Sequence, residues 1–414
     1  MARRTGFLAT VTLVAALGAL GSLAPAPATA GATSPAPGPA ADPPPDPAAV
    51  AAAVERRAGA RYGGYWVDDD GVVHVNVVEP SAADRELAGD RVRIHDADLS
   101  YDQLVAARDA VAAALDRGET GNYTVGLDVP HSGLTVETER GDAAVTRLLA
   151  LDAARTAAVV PRSGADAPGG GISLERLNVL TGSRIGIVPL GATGAAGPTG
   201  PAGPTPTDYP PYEAGLHLRV DSADATIRCT SGFAFTGALG TFGSTAGHCG
   251  RVGDTVRVGD TVVGRVARNT FESARSPVRA DTALYPVPPG AAEDAVVHGQ
   301  SAHRRVVGGL PDSRIGMGMR LCFDGRASGT GNCGSVDAVG RQVCCDAEGR
   351  SFIFTCIDRT ARAGDSGGPV YQPVAGAVRA AGTLSSSVSV DGRPSMCFST
   401  IDQIQRATGT QLAG

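Results

Sequence analysis

"ARAGDSGGPVY", Ala361 to Tyr371, is the stretch on which the reading of this chain turns. Its serine lies between Asp365 and Gly367, where the backbone can bend sharply because glycine adopts conformations that other residues avoid. In such a bend the N–H groups of Gly364 and Ser366 can converge on one point, where an oxyanion would be stabilised. A glycine-rich turn in a β protein is the plain alternative. The unbroken run Gly364–Pro369 is more specific than that alternative requires. A serine hydroxyl attacks a carbonyl poorly unless a base takes its proton and a carboxylate orients the base.

Working outward, "GSTAGHCG", Gly243 to Gly250, sets His248 beside Cys249. The pair is open to three readings: half a zinc site, a structural histidine, or a base with a disulfide next door. Zinc needs four ligands at set spacings. No CxxC occurs and no second histidine is close in sequence, so neither metal nor cofactor is expected. Several aspartates fall between His248 and Ser366, among them Asp254, Asp260, Asp281, Asp324 and Asp337. Asp254 and Asp260 sit in "VGD" turns, where solvated turn-formers belong. Asp281 opens the apolar alternation "ADTALYPV" and suits a strand that carries a buried carboxylate.

The surroundings of these motifs are short β-rich runs such as "DTVRVG", "DTVVGRVA" and "SFIFTC", separated by Gly, Asp and Asn. Helical periodicity returns only in "STIDQIQRATGTQL" near the end. This predicts an all-β sandwich or barrel over 212–414 with a terminal helix outside it.

The chain has 414 residues, so more than one domain is expected. Aromatics make up only 4%, and the cores must rest on Ala, Val, Leu and Ile. Net charge is −6 with no basic run, which argues against nucleic acid as a partner. All 36 basic residues are arginine, which excludes Schiff-base lysines and Ser–Lys dyads. Residues 1–30 read as a secretion signal: the basic "MARRTG", an apolar run of 14 residues, and the small-residue "ATA". That run is short of the roughly 20 residues a membrane span needs, so no membrane attachment is expected after the signal is removed. Export makes paired cysteines the expectation.

Residues 31–49 are Pro- and Ala-rich and read as a disordered lead-in. From 50 to 175 the order hairpin ("YWVDDDGVVHVNVVE"), helix ("SYDQLVAARDAVAAALDRG", with Ser100 and Gln103 as a capping box), second hairpin ("YTVGLDVPHSGLTVETE") and helix ("DAAVTRLLALDAA") predicts a small α+β region. It holds no cysteine, whereas all eight lie beyond residue 211, which fits a removable folding partner. Residues 191–205 carry glycine at every third place for five triplets, too few for a stable collagen-like helix. A Gly/Pro-rich linker over 176–211 is the reading, and 205–215 is the stretch most exposed to cutting.

"TAGHC" and "GDSGGP" together resemble the chymotrypsin-like serine proteases, and the whole chain is similar to their secreted bacterial streptogrisin and α-lytic branch. The resemblance implies an all-β catalytic domain, a double β-barrel with a C-terminal helix, preceded by a small α+β pro-domain. It implies a secreted, monomeric endopeptidase acting on protein or peptide substrates, made with its own pro-region as partner. It carries over His248 as base, Asp281 as the carboxylate of "DxAL", Ser366 as nucleophile, Gly364 and Ser366 as oxyanion donors, and Ser385 as support for the aspartate. It also implies the disulfides Cys229–Cys249, Cys322–Cys333 and Cys356–Cys397. Cys344 and Cys345 are left over, to pair with each other or compete for Cys356.

The sequence departs from that pattern in places. Ser385, Ser386 and Ser387 stand where Ser-Gly-Gly is common, which would narrow the substrate pocket; Thr360 aligns near its base. No carboxylate falls at that position, which disfavours strict Lys or Arg preference, although Asp358 lies two residues away. Phe323 occupies the place of the arginine that usually neutralises the aspartate of "GDSGG", so Asp365 needs another partner, Arg326 or Arg320. An inactive homologue serving as an extracellular binding module is the alternative these departures suggest.

Overall fold

The computed structural model describes residues 46–117, 122–139, 177–181, 185–189, 192–193, 212–272, 280–288, 296–297, 304–344, 350–390 and 392–413. The signal segment 1–30 and the helix expected in "DAAVTRLLALDAA" lie outside them. The first helix, α1 (Pro47–Ala58), starts on Asp46, whose carboxylate accepts from the Ala48 N–H at 3.1 Å. Proline at the first helical position loses nothing, because that N–H has no partner within the helix. The lead-in expected through residue 49 therefore ends earlier, at this cap.

Strands β1 (Tyr62–Val67) and β2 (Val73–Val78) form the first expected hairpin, antiparallel, and β3 (Val92–Ala97) adds to β2 in parallel. Helix α2 (Tyr101–Arg117) opens with the expected capping box. The Ser100 N–H donates to Gln103 Oε1 at 2.8 Å, and the Gln103 N–H donates back to Ser100 Oγ at 3.4 Å. Leu104, Val111 and Leu115 are buried along one face. The second hairpin is β4 (Tyr123–Asp128) and β5 (Gly133–Thr138), with β6 (Leu177–Thr181) parallel to β5.

The linker expected over 176–211 is not wholly linker. Besides β6 it contains β7 (Ile185–Pro189) and β8 (Ala192–Thr193). "LNVLT" and "IGIVP" are apolar, partly β-branched runs, and they find strand edges with backbone groups to satisfy. Residues 194–211 lie outside the description.

Among the described residues the remainder is β apart from two 3-10 turns and its last helix. The first barrel comprises β9 (His217–Asp221), β10 (Thr226–Thr230), β11 (Phe235–Gly237), β12 (Gly240–Thr245), β13 (Thr255–Val258), β14 (Thr261–Arg265), β15 (Arg268–Asn269) and β16 (Ala283–Pro286). With β8 and the C-terminal β25 (Gln411–Leu412) they form two sheets, ordered β14-β13-β9-β10-β8 and β15-β16-β12-β11-β25. The second barrel contains β17 (Val296–Val297), β18 (Arg304–Gly309), β19 (Arg320–Gly325), β20 (Gly329–Cys344), β21 (Ser351–Ile357), β22 (Pro369–Val374), β23 (Ala377–Val390) and β24 (Arg393–Thr400). Helix α3 (Ile401–Thr408) follows on the expected C-terminal segment, capped by Thr400 and Gln403 and stopped by Gly409 at φ +66°. The short β25 (Gln411–Leu412) then returns to β11 of the first barrel.

Leu218, Val220, Val256, Val263 and Tyr285 fill the first barrel, as the aromatic-poor composition requires. The second barrel shares its core with the α+β region: Val75, Leu104 and Leu134 belong to one buried cluster with Leu310, Met319 and Phe323. Burying each such side chain contributes about 1.5–3 kcal/mol. The α+β region also extends the barrel's sheet, since β4 pairs antiparallel with the end of β20. Three tyrosine hydroxyls fix the docking: Tyr62 donates to Ser313 O, Tyr65 to Arg314 O and Tyr101 to Asp312 O, at 2.9, 3.1 and 3.2 Å. Among the described residues no helix is long and apolar enough to cross a membrane.

Candidate active site

Register brings the first two residues of the site together. β12 and β16 pair antiparallel with Thr245 opposite Ala283, so the turn after β12 and the residues before β16 lie side by side. His248 is on that turn and Asp281 is two residues ahead of Ala283. The turn closes tightly: a Cβ on Gly247 would come within 2.5 Å of Phe271 Cβ and 2.8 Å of Asp281 Oδ1, so only glycine fits. His248 Nδ1 lies 2.7 Å from Asp281 Oδ2, and the His248 backbone N–H donates to Asp281 Oδ1 at 3.0 Å. Binding both oxygens fixes the carboxylate plane and keeps the Nδ1 proton on the aspartate side of the ring.

Ser366 reaches this pair from the second barrel. Its Oγ lies 2.8 Å from His248 Nε2. Gly364 and Gly367 adopt φ +104° and +88°, conformations open to glycine. Among the described residues, the N–H groups of Gly364 and Ser366 are not consumed by the backbone hydrogen bonds of this turn. Thr230 holds the turn against the first barrel: its N–H donates to Ser366 O at 2.8 Å and its hydroxyl to Gly364 O at 2.8 Å.

Asp281 is 1% exposed and Ser366 is 0% exposed. Burial alone would push the Asp281 carboxyl up. The His248 charge and the hydrogen bonds from His248 and Ser385 outweigh it and hold the group below its ordinary value. Ser385 Oγ donates to Asp281 Oδ2 at 2.5 Å, as a support for the aspartate should. Sequence reading missed three contributors. Ser399 Oγ accepts from the Asp281 N–H at 2.9 Å, and Phe271 stands edge-on to the His248 ring at 5.9 Å. Asn269 Nδ2 donates to Gly247 O at 2.8 Å, bracing the histidine turn. Each touches the site from a distant part of the chain, and no local spacing announces it.

The disulfides are Cys229–Cys249, Cys322–Cys333 and Cys356–Cys397. Cys344 is disulfide-bonded too, while Cys345 lies outside the described residues. Cys249 thus turns away from His248, and the metal reading of the pair is unnecessary.

One expectation needs correction. Asp365 takes neither the Arg326 nor the Arg320 guanidinium. Its carboxylate accepts from the N–H groups of Ala327, Ser328 and Arg362 at 2.7, 2.9 and 2.8 Å, and from Ser328 Oγ at 2.5 Å. Such a set of donors satisfies a buried carboxylate without a cation. Thr360 is exposed in the loop after β21. Of the three serines, Ser385 faces Asp281, Ser387 Oγ donates to Ser395 O at 3.4 Å, and Ser386 is buried. Asp254 and Asp260 lie in turns as expected, and Asp254 accepts from the Arg251 N–H at 2.7 Å. Asp324 is tied to the Tyr371 hydroxyl at 2.8 Å, and Asp337 to Ser395 Oγ at 2.5 Å, so neither belongs to the site.

Residues 36–88 match the family model described as alpha-lytic protease pro N-terminal. The resemblance read from the motifs stands: the chain is similar to the chymotrypsin-like serine proteases of the α-lytic branch, with their pro-region. Some solved structures are similar over about half of the chain. Thermobifida fusca protease A is 24% identical, covering 49% of this chain and 98% of its own, at TM-score 0.39. A Nocardiopsis protease is 25% identical, covering 49% and 98%, at 0.37. A glutamic acid specific serine protease is 20% identical, covering 49% and 100%, at 0.39. No curated protein sequence matches the chain significantly.

Proposed function

We propose that this chain is a secreted serine endopeptidase, made as a pre-pro-protein, which hydrolyses peptide bonds through an acyl-enzyme. The observation that carries the reading is the unbroken line Ser366 Oγ–His248 Nε2 at 2.8 Å and His248 Nδ1–Asp281 Oδ2 at 2.7 Å. Ser366 attacks the carbonyl carbon of the scissile bond while His248 takes its proton. The proton passes to the leaving amine as the C–N bond breaks, and water then hydrolyses the ester by the same route. Asp281 stabilises the imidazolium, and the N–H groups of Gly364 and Ser366 hold the oxyanion; each such donor is worth about 10²–10³ in turnover. The segment from 31 to about 205 is the pro-region, which assists folding and covers the cleft until it is cut.

A fluorophosphonate probe tests the assignment. Labelling of the processed wild-type protein and none of Ser366→Ala is expected. No labelling under conditions where a known serine hydrolase reacts would sink the enzyme reading in favour of the binding-module alternative. Labelling that survives Ser366→Ala would move the nucleophile elsewhere.

A further inference from the structure

Two arginines stand beside the turn that carries the nucleophile, and the mechanism above uses neither. Arg228 is exposed on β10. Side chains alternate along a strand, so Cys229 points one way, to its bond with Cys249, while Arg228 and Thr230 point the other. Thr230 shows where that face looks. Its hydroxyl donates to Gly364 O at 2.8 Å and accepts from the Arg326 N–H at 2.9 Å. Arg326, half-buried just after β19, closes on the same turn. A Cβ placed on Gly364 would lie 3.8 Å from Arg326 Cδ and 3.8 Å from Arg228 O. The two cations feel each other: burial first, then the Arg228 charge, hold Arg326 below its ordinary value.

Among the described residues neither guanidinium has a carboxylate partner. Asp365, on the same turn, is satisfied by the N–H groups of Ala327, Ser328 and Arg362 and by the Ser328 hydroxyl. Two like charges beside each other, one of them half-buried, repel; a carboxylate set between them would relieve the repulsion and accept from both forks.

Strand direction says which part of a substrate could supply that carboxylate. Ser366 lies between β23, whose Ser385 carbonyl is 3.5 Å from its Oγ, and β10, whose Thr230 N–H donates to its carbonyl. β7 pairs antiparallel with β23, and β8, later in the chain, pairs antiparallel with β10, with Ala192 opposite Arg228. These edges therefore accept extended segments, and a peptide running the same way meets β23 before the reacting bond and β10 after it. β8 belongs to the segment read above as the pro-region, so its departure opens the β10 edge at Arg228.

We propose that Arg228 and Arg326 form a cationic subsite that binds an Asp or Glu side chain within the first two residues after the scissile bond; this rests on the reading of Ser366 as nucleophile. The exposed Arg228 meets the incoming carboxylate, and the half-buried Arg326 holds it beside the oxyanion turn. The amine departs before water reaches the ester, so the subsite acts on acylation and appears in kcat/KM.

The test is the cleavage-site profile of the processed wild-type protein on a mixed peptide library. Asp and Glu should be enriched over Lys and Arg, by about threefold or more, at the first or second position after the cut. Arg326→Glu should reverse the preference in favour of Lys and Arg, and Arg326→Lys should retain its sign. Arg228→Glu, at an exposed strand position, gives the same reversal where Arg326→Glu fails to fold. No acidic enrichment in wild-type protein that labels with fluorophosphonate overturns the subsite and leaves the nucleophile assignment standing. Enrichment that persists through the charge reversals overturns its assignment to these arginines. A protein that neither labels nor cleaves overturns the Ser366 reading and this proposal with it.

Discussion

The two barrels contribute to one site but are held by different means. The first barrel carries His248 and Asp281, has its own core around Leu218, Val256 and Tyr285, and is stapled beside the histidine by Cys229–Cys249. The second carries Ser366 and shares its core with the α+β region through Leu104, Leu134, Leu321 and Phe323. Further ties run from Asp46, which receives Arg379 at 2.6 Å, and from Glu55, which receives Ser313 Oγ at 2.7 Å. The difference teaches that the barrel of His248 and Asp281 has a core and a disulfide of its own, whereas the barrel of Ser366 is completed by the α+β region. Loss of that segment should expose the second barrel's core first.

Asp281→Asn tests the first barrel most severely. With the histidine orientation no longer enforced, turnover should fall by about 10⁴-fold while the fold is kept, as read by hydrolysis rates alongside circular dichroism. Tyr65→Ala strikes the shared core and the bond to Arg314. It should cost about 3–5 kcal/mol, and hydrogen exchange should rise in β19 and β22 before β9 and β13. Equal exchange in both barrels would break the comparison. Removing Cys229–Cys249 by a double serine substitution should cost about 2–4 kcal/mol; here exchange should rise in β10 and β12 first.

The smallest effect concerns acid. His74 Nδ1 lies 2.9 Å from His95 Nε2, and Trp66 stacks on both rings, while its backbone neighbour Val67 bonds Met317 of the second barrel. Asp68, at 2.9 Å from the other nitrogen of His74, completes the cluster, and Arg93 adds positive charge. Burial first, then the His74 and Arg93 charges, hold His95 below its ordinary value. The unfolded chain therefore binds this proton more readily. The contribution is intact above about pH 6.5 and is lost as pH falls from there through the lowered value. Melting temperature against pH should show a loss in the wild type that His95→Gln flattens.

The motifs of the site were legible because each is short. "GDSGGP" needs glycine on both sides of Ser366 for backbone reasons, and "TAGHC" sets His248 beside the cysteine that pins it. Asp281 was legible through the apolar alternation that follows it. The capping box at Ser100 was legible too, since a cap is a contact across three residues. The partner of Asp365 was not. Besides the nearby Arg362 N–H, its donors come from the 327–328 loop, almost 40 residues away, and a backbone N–H carries no mark of its use in the sequence.

By itself the sequence singled out Ser366 and His248 and an all-β half after an α+β one, from local rules on backbone freedom, periodicity and residue type. Asp281 and the pairing of the cysteines were implied by the family resemblance of the motifs. Only the tertiary structure decided that 185–189 and 192–193 are strands, that the α+β region completes one barrel's core, and that Ser399 and Phe271 brace the site. Strand pairing partners and shared cores are long-range contacts, whose energy depends on which edges and faces are left open elsewhere in the fold. No window of the sequence contains that information.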